Sequence, residues 1–226
     1  MKRWDYEYVP REDYGELIEQ DTLGTLDGEF KFLFLRDFLD FPDAWMKDLR
    51  RLPFNSCRNT NRAPLKGSAG GELMLGWHHD RRNSRHGPAL TVETEACDSV
   101  YGGVIHDILT VVSLVIQHEM PDYWKYALAQ AKRNGRYVID GGMGVDHYRM
   151  FCPELYPIFS TVTVNHNTTC RAHVDGGNAR GLACMTTYGS FKGGALCFPR
   201  LGVAFDVRPG DLLIADTNRE LHGNRR

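Results

Sequence analysis

Two residues of one short segment combine metal-binding side chains with a telling spacing: His173 and Asp175, in Cys170-Arg-Ala-His173-Val-Asp175-Gly-Gly-Asn178. On an extended strand, residues two apart project from the same face, so an imidazole and a carboxylate would share that face. These are two of the three ligands of a 2-His-1-carboxylate iron site, which leaves positions open for a bidentate 2-oxo acid and dioxygen. A closed structural zinc site needs no such openness. The third ligand must come from a distant strand. His222 lies 47 residues after Asp175, in Glu220-Leu-His222-Gly-Asn, and follows an apolar segment. An isolated H-x-D pair is common by chance. Its combination with a strand-rich interval and a later histidine is much rarer.

These side chains need a scaffold of strands, and the sequence supplies one. Strands are expected near 158–166, 169–175, 181–188, 194–198, 201–207 and 211–216, with Gly193-Gly194, Pro199 and Pro209-Gly210 as turns. That layout suits a double-stranded β-helix, a jelly-roll-like barrel closing around iron. Upstream, residues 1–28 read as an irregular polar arm, and the Phe/Leu/Lys alternation of Glu29 to Leu35 as a strand. Phe41 to Leu52 reads as a helix: Pro42 and Asp43 suit its start, Lys47, Arg50 and Arg51 suit its end, and Pro53 stops it. A buried helix is expected over Val104 to Met120. An amphipathic helix is expected over Pro121 to Asn134, with Trp124, Leu128 and Ala131 on one side and Gly135 as its C-terminal stop. The predicted class is therefore α+β: a double-stranded β-helix core with N-terminal helices packed outside. One domain spans 1–226, as an arm (1–28), a helical and loop-rich half (29–157) and a barrel core (158–226).

Composition narrows the partners. A chain of 226 residues with 42% hydrophobic and 25% charged content is an ordinary globular protein with a sizeable core. Its net charge of −2 means that a nucleic-acid enzyme would have to concentrate cations locally. Residues 55–89, polar and Gly-rich, do this with Arg58, Arg62, Lys66, Arg81, Arg82 and Arg85. The adjacent His78 and His79 would point to opposite faces of a strand and make a poor metal site. Six cysteines without a C-x-x-C pair, and an N-terminus without a hydrophobic signal region, point to a reducing cytoplasmic or nuclear-type compartment rather than secretion. The apolar run Val104 to Ile116 is interrupted by His106 and Asp107 and is too short to span a bilayer. No membrane partner is expected, and a monomer is.

Beyond the triad, Phe159-Ser-Thr-Val-Thr-Val-Asn165 leading into His173-Val-Asp175-Gly-Gly-Asn178 resembles the TET/J-binding-protein family of iron and 2-oxoglutarate dioxygenases. So do Gly189-Ser-Phe-Lys-Gly193-Gly194-Ala-Leu-Cys-Phe198-Pro199 and Gly202-Val-Ala-Phe-Asp206-Val-Arg-Pro-Gly210-Asp211. The likeness extends over 158–224 and is nearest to phage-encoded TET-like 5-methylpyrimidine dioxygenases. It is weaker at Asn59-Thr-Asn-Arg62-Ala-Pro-Leu-Lys-Gly67 and silent over 1–50. The resemblance implies oxidation of the methyl group of 5-methylcytosine, or of thymine, to hydroxymethyl in DNA, with Fe(II) and 2-oxoglutarate as cofactors.

By that resemblance His173, Asp175 and His222 are catalytic iron ligands, and Asn178 completes an H-x-D-x-x-N pattern in which the Asn meets the target base. Arg62 joins it on the substrate side. Arg58, Arg81, Arg82 and Arg85 would neutralise DNA phosphates. The base would have to be flipped out of the duplex, with Asn55 to Pro88 bordering the opening.

One departure stands out. The family anchors the far carboxylate of 2-oxoglutarate with an Arg on the strand after the second histidine, whereas this sequence has four residues after His222. Arg225 is the nearest cofactor-binding candidate by position. The expectation is a fragment lacking its last strand or two, or an anchor supplied from elsewhere, such as Arg62 or Lys192. Two other readings remain: a protein or small-molecule hydroxylase on the same barrel, and a non-enzymatic metal-binding jelly roll.

Overall fold

The computed structural model describes residues 15–55, 61–79, 88–97, 101–140, 158–176 and 181–224. In chain order the elements are β1 (Glu16–Ile18), β2 (Thr22–Leu26), β3 (Glu29–Leu35), α1 (Asp43–Leu49), β4 (Arg62–Pro64), β5 (Gly71–His79), β6 (Pro88–Leu90), α2 (Val92–Ala96), α3 (His106–Glu119) and α4 (Pro121–Asp140). Then follow β7 (Thr161–His166), β8 (Thr168–Cys170), β9 (Ala183–Thr186), β10 (Leu196–Phe198), β11 (Val203–Phe205), β12 (Leu212–Ala215) and β13 (Gly223–Asn224). They group into two compact units. One takes the described residues up to 46, from 61 to 71 and from 166 onward; the other takes 47–55 and 72–165.

The first unit carries two four-stranded sheets, ordered β1-β11-β10-β13 and β2-β3-β12-β9. Alternation in β3 sends Phe32 and Phe34 to one face, opposite Ala215 and Leu213 of β12. These residues join Leu196 and Phe198 of β10, Val203 and Phe205 of β11, and Ile18 of β1 in one core cluster. Phe205 sits at its centre, with ring centroids 4.9 Å from Phe32, 5.3 Å from Phe34 and 5.6 Å from Phe198. Burying each such ring contributes on the order of 1.5–3 kcal/mol.

The intervening residues Cys197 and Ala204 face the other side of their sheet, where they pack with Ala172 and Leu221. This small second cluster positions the site. Ala172 immediately precedes His173 and Leu221 immediately precedes His222. Plugging the two apolar side chains into one face sends both imidazoles to the opposite side.

The second unit has a three-stranded sheet ordered β6-β5-β7 and the longer helices. In α3 the buried residues Leu109, Val112, Ser113 and Ile116 recur at helical spacing, which explains why an apolar, β-branched sequence is helical here. Ser113 satisfies its hydroxyl by donating to the Leu109 carbonyl at 2.7 Å. Thr91 caps α2, its hydroxyl accepting from Thr94 N–H at 3.3 Å.

Several expectations need correction. Within the expected irregular arm, 15–28 contains β1 and β2; residues 1–14 lie outside the described set. The helix expected over 41–52 is shortened to α1. The one expected from Val104 begins with a π-helical turn, Tyr101–Ile105, before α3. Gly135 does not stop the last helix, which continues to Asp140, because one interior glycine costs only about 1 kcal/mol against the hydrogen bonds it continues. The expected strand 169–175 is regular only to Cys170; His173 is held instead by an isolated bridge to His222.

Candidate metal centre

The site is built where two segments distant in sequence meet. His173 N–H donates to the His222 carbonyl at 2.8 Å and His222 N–H donates to the His173 carbonyl at 2.9 Å. Two residues on, Asp175 N–H donates to the Thr217 carbonyl at 2.9 Å. Between β12 and His222 the chain makes a tight turn, with Glu220 N–H on the Asp216 carbonyl at 3.0 Å and Asp216 N–H on the Lys31 carbonyl of β3 at 3.1 Å. Each ligand-bearing segment is thus tied by backbone to the other or to the sheet.

The three side chains converge. His173 Nε2 lies 3.4 Å from Asp175 Oδ1, and His222 Nε2 lies 3.8 Å from Asp175 Oδ2. One donor atom from each of the three falls within 4.8 Å of the others. The imidazole rings are 4.4 Å apart, and His222 stacks on Phe198 at 5.6 Å and 24°. His222 is buried, whereas the Asp175 side chain is 32% exposed. Ligand bonds of about 2 Å require donors within roughly 4 Å of one another, so small side-chain rotations bring this set onto one ion. Among the described residues it is the one cluster of three His, Cys or carboxylate groups able to hold a metal.

Hydrogen bonding fixes which nitrogens face the metal. His173 Nδ1 sits 2.8 Å from the Arg171 carbonyl and His222 Nδ1 sits 3.1 Å from the Glu220 carbonyl. A carbonyl can only accept, so each Nδ1 carries a proton and each Nε2 is left to bind metal. Electrostatics agree with this assignment. Burial, reinforced by neighbouring His173 and by Arg62, lowers the His222 pKa against the opposing pull of Asp175 and the Glu220 carbonyl, which favours the neutral imidazole a metal needs. Burial alone would raise the Asp175 pKa. The interaction with His173, the Thr217 hydroxyl beside it and the histidine charges prevail and hold it at about 2. Asp175 is therefore an anion at neutral pH. Two imidazole nitrogens and one carboxylate are a donor set that suits Fe(II).

Three supporting groups had no local signal in the sequence. Lys31 and Glu220, 9% and 7% exposed, form a buried ion pair at 3.2 Å, which braces the turn just ahead of His222. The Thr217 hydroxyl is fully buried and makes no hydrogen bond of normal geometry. Arg62, half-buried on β4, pairs across to Cys170 of β8 and is near enough for its charge to act on His222. Sequence reading had named Arg62 on the substrate side and as one candidate anchor for 2-oxoglutarate. Lys192 is exposed. Arg58, Arg81, Arg82, Arg85, Asn178 and Arg225 lie outside the described residues. Among the described residues, no helix is long and apolar enough to cross a membrane.

Comparison with known proteins agrees with this geometry. Residues 93–226, more than half of the chain, match the Tet_JBP family, described as the oxygenase domain of the 2OGFeDO superfamily. That superfamily uses Fe(II) and 2-oxoglutarate. A protein of Trypanosoma cruzi (strain CL Brener) named bifunctional helicase and thymine dioxygenase JBP2 is 42% identical over 80 residues, 34% of this chain and 7% of that protein. Its namesake in Leishmania infantum is 44% identical over 69 residues, 30% of this chain and 6% of that protein. The matched stretch thus spans only a small part of these relatives. In fold, the chain is similar to NgTET1 in a solved complex with 5mC DNA, at a TM-score of 0.53 and 11% identity, covering 88% of this chain and 68% of that one.

Proposed function

The chain belongs to the Tet_JBP family of oxygenase domains, and from that premise we propose that it oxidises the methyl group of 5-methylcytosine or thymine in DNA. The observation that carries the reading is the convergence of His173, Asp175 and His222 on one point. The substrate class is supported by relatives named as thymine dioxygenases and by a fold neighbour bound to 5mC DNA. When bound, Fe(II) with 2-oxoglutarate and dioxygen supplies an oxidant able to break a methyl C–H bond.

The protein's part is placement. His222, clamped between Phe198 and the Glu220 carbonyl, and His173, bonded to the Arg171 carbonyl, present Nε2 in fixed orientations. Asp175 is the most exposed of the three. A methyl group stacked inside a duplex cannot reach this site, so the base is flipped out. Asn178 is assigned the flipped base, and Arg58, Arg81, Arg82 and Arg85 the flanking phosphates. Arg62, whose charge reaches His222, is assigned a carboxylate of 2-oxoglutarate, for which a planar guanidinium is well suited. All three metal ligands come from one chain, so a monomer suffices.

The test is mass spectrometry of nucleosides after incubating 5-methylcytosine-containing and unmodified DNA with the protein, Fe(II), ascorbate and 2-oxoglutarate. Hydroxymethylated bases are expected. Succinate production without any modified base would move the assignment to a protein or small-molecule substrate.

A further inference from the structure

We infer that Thr217 is a positioning residue for Asp175: its hydroxyl donates to the carboxylate oxygen that does not bind the metal. The inference rests on the reading of His173, Asp175 and His222 as the metal site. Its starting point is an oddity of packing. Thr217 is fully buried, yet its Oγ1 has no hydrogen-bond partner of normal geometry. Buried side-chain hydroxyls are nearly always partnered, so one without a partner calls for an explanation.

Its neighbour supplies one. Asp175 N–H donates to the Thr217 carbonyl at 2.9 Å, which fixes the two residues side by side, and the hydroxyl lies next to the carboxylate. The Thr217 backbone is itself anchored, its N–H donating to the Ala215 carbonyl at 3.0 Å at the end of β12. A rigid backbone with a hydroxyl free to rotate can direct its proton where charge requires it.

Metal binding creates that requirement. An ionised carboxylate only accepts hydrogen bonds and has two oxygens to satisfy. In the structure Asp175 Oδ1 faces His173 Nε2 at 3.4 Å, and Oδ2 faces His222 Nε2 at 3.8 Å. A metal ion takes the lone pairs of both Nε2 atoms and one carboxylate oxygen. A proton on either Nε2 and a metal bound there are mutually exclusive, so with a metal in place the histidines offer the second oxygen no donor. The Thr217 hydroxyl is the buried donor already in place to do so. It would hold Asp175 in a one-oxygen binding mode and keep the remaining positions open.

The experiment compares the parent chain with Thr217→Ser, Thr217→Ala and Thr217→Val. Mn(II) is titrated calorimetrically into each metal-stripped full chain, alongside circular dichroism to confirm the fold. Outer partners of metal ligands are typically worth about 10- to 100-fold in affinity. Thr217→Ala and Thr217→Val should weaken Mn(II) binding by that factor, and Thr217→Ser should stay within about threefold of the parent. Ser and Ala both lack the methyl group, so their difference isolates the hydroxyl even if Thr217→Val fails to fold. Equal Mn(II) affinity in the parent and Thr217→Ala would overturn the inference, as would a Ser variant as weak as Ala. A parent chain that takes up no Mn(II) would instead overturn the metal site on which the inference stands.

Discussion

Gly223 offers a direct way to pull the site apart without touching a ligand. It follows His222 and pairs with Cys197 of β10. A Cβ added there would sit 2.8 Å from Ala172 N, 2.9 Å from Ala172 Cα and 3.1 Å from Arg171 C, all backbone atoms. Ordinary contact begins near 3.4 Å, so the two segments would have to part by about 0.6 Å. The same opening would take the His173–His222 backbone bonds from 2.8 and 2.9 Å to about 3.4 and 3.5 Å, beyond normal hydrogen-bond length. Overpacking of this kind costs about 1–3 kcal/mol, and two weakened hydrogen bonds add about 1 kcal/mol. Gly223→Ala should therefore destabilise by about 3 kcal/mol, which for a chain of this size lowers the Tm by about 6–12 °C. Calorimetry of the metal-stripped protein, followed by Mn(II) titration at a temperature where the variant is folded, would measure both consequences. A Tm within about 2 °C of the parent, together with unchanged metal affinity, would refute the claim that this close approach sets the spacing of the two histidines.

Other perturbations separate chemistry from architecture. His173→Ala and Asp175→Ala should abolish oxidation while leaving far-UV circular dichroism unchanged, since the apolar core is built from other residues; an Asp175→Ala variant with parental turnover would disprove the triad. Lys31→Met should destabilise by about 3 kcal/mol or more, because it strands the buried Glu220 carboxylate. Lys31→Met combined with Glu220→Leu should recover most of that loss in a urea melt, and a double variant as unstable as the single one would show that the pair is not the cause. Asn178→Ala should reduce oxidation of the methylated base more than uncoupled succinate formation, and equal loss of both would assign Asn178 to the turn. Arg62→Met should raise the KM for 2-oxoglutarate in steady-state assays while leaving Mn(II) affinity near parental; an unchanged KM would remove Arg62 from the co-substrate site.

The features legible in the sequence were those written in local pattern. The alternation of Glu29-Phe-Lys-Phe-Leu-Phe-Leu35 gave β3 with the same bounds the structure has, and the strand expected over 211–216 gave β12, Leu212–Ala215. The convergence of His173, Asp175 and His222 was readable because a metal site would restrict residue type and spacing together. The hairpin of β2 and β3 was missed although its signal was present: Leu26-Asp27-Gly28-Glu29 is a D-G turn, and both central residues have positive φ, 53° and 76°. Its polar, Gly-containing strand Thr-Leu-Gly-Thr-Leu obscured it. The parallel pairing of β1 with β11 joins residues almost 190 positions apart, and nothing local announces it. Lys31, Glu220 and Thr217 were invisible for a related reason. A charged or hydroxyl side chain beside a strand reads as surface until the fold buries it.

The paired backbone bonds between His173 and His222 would also make a metal bound here a gauge of strand register. If the C-terminal segment slipped by one residue, Leu221 or Gly223 would face His173, and the His222 imidazole would swing to the face now occupied by Cys197 and Ala204. The short, mostly apolar strands β10, β11 and β13 would tolerate such a slip better than a long strand would. A slipped chain, however, offers only two of the three donors. Metal binding adds its free energy to the correct register alone, in proportion to the logarithm of metal concentration over Kd. An ion held by these three residues would thereby act also as a proofreader of folding, favouring the one alignment in which two residues 49 positions apart (222 − 173) meet face to face.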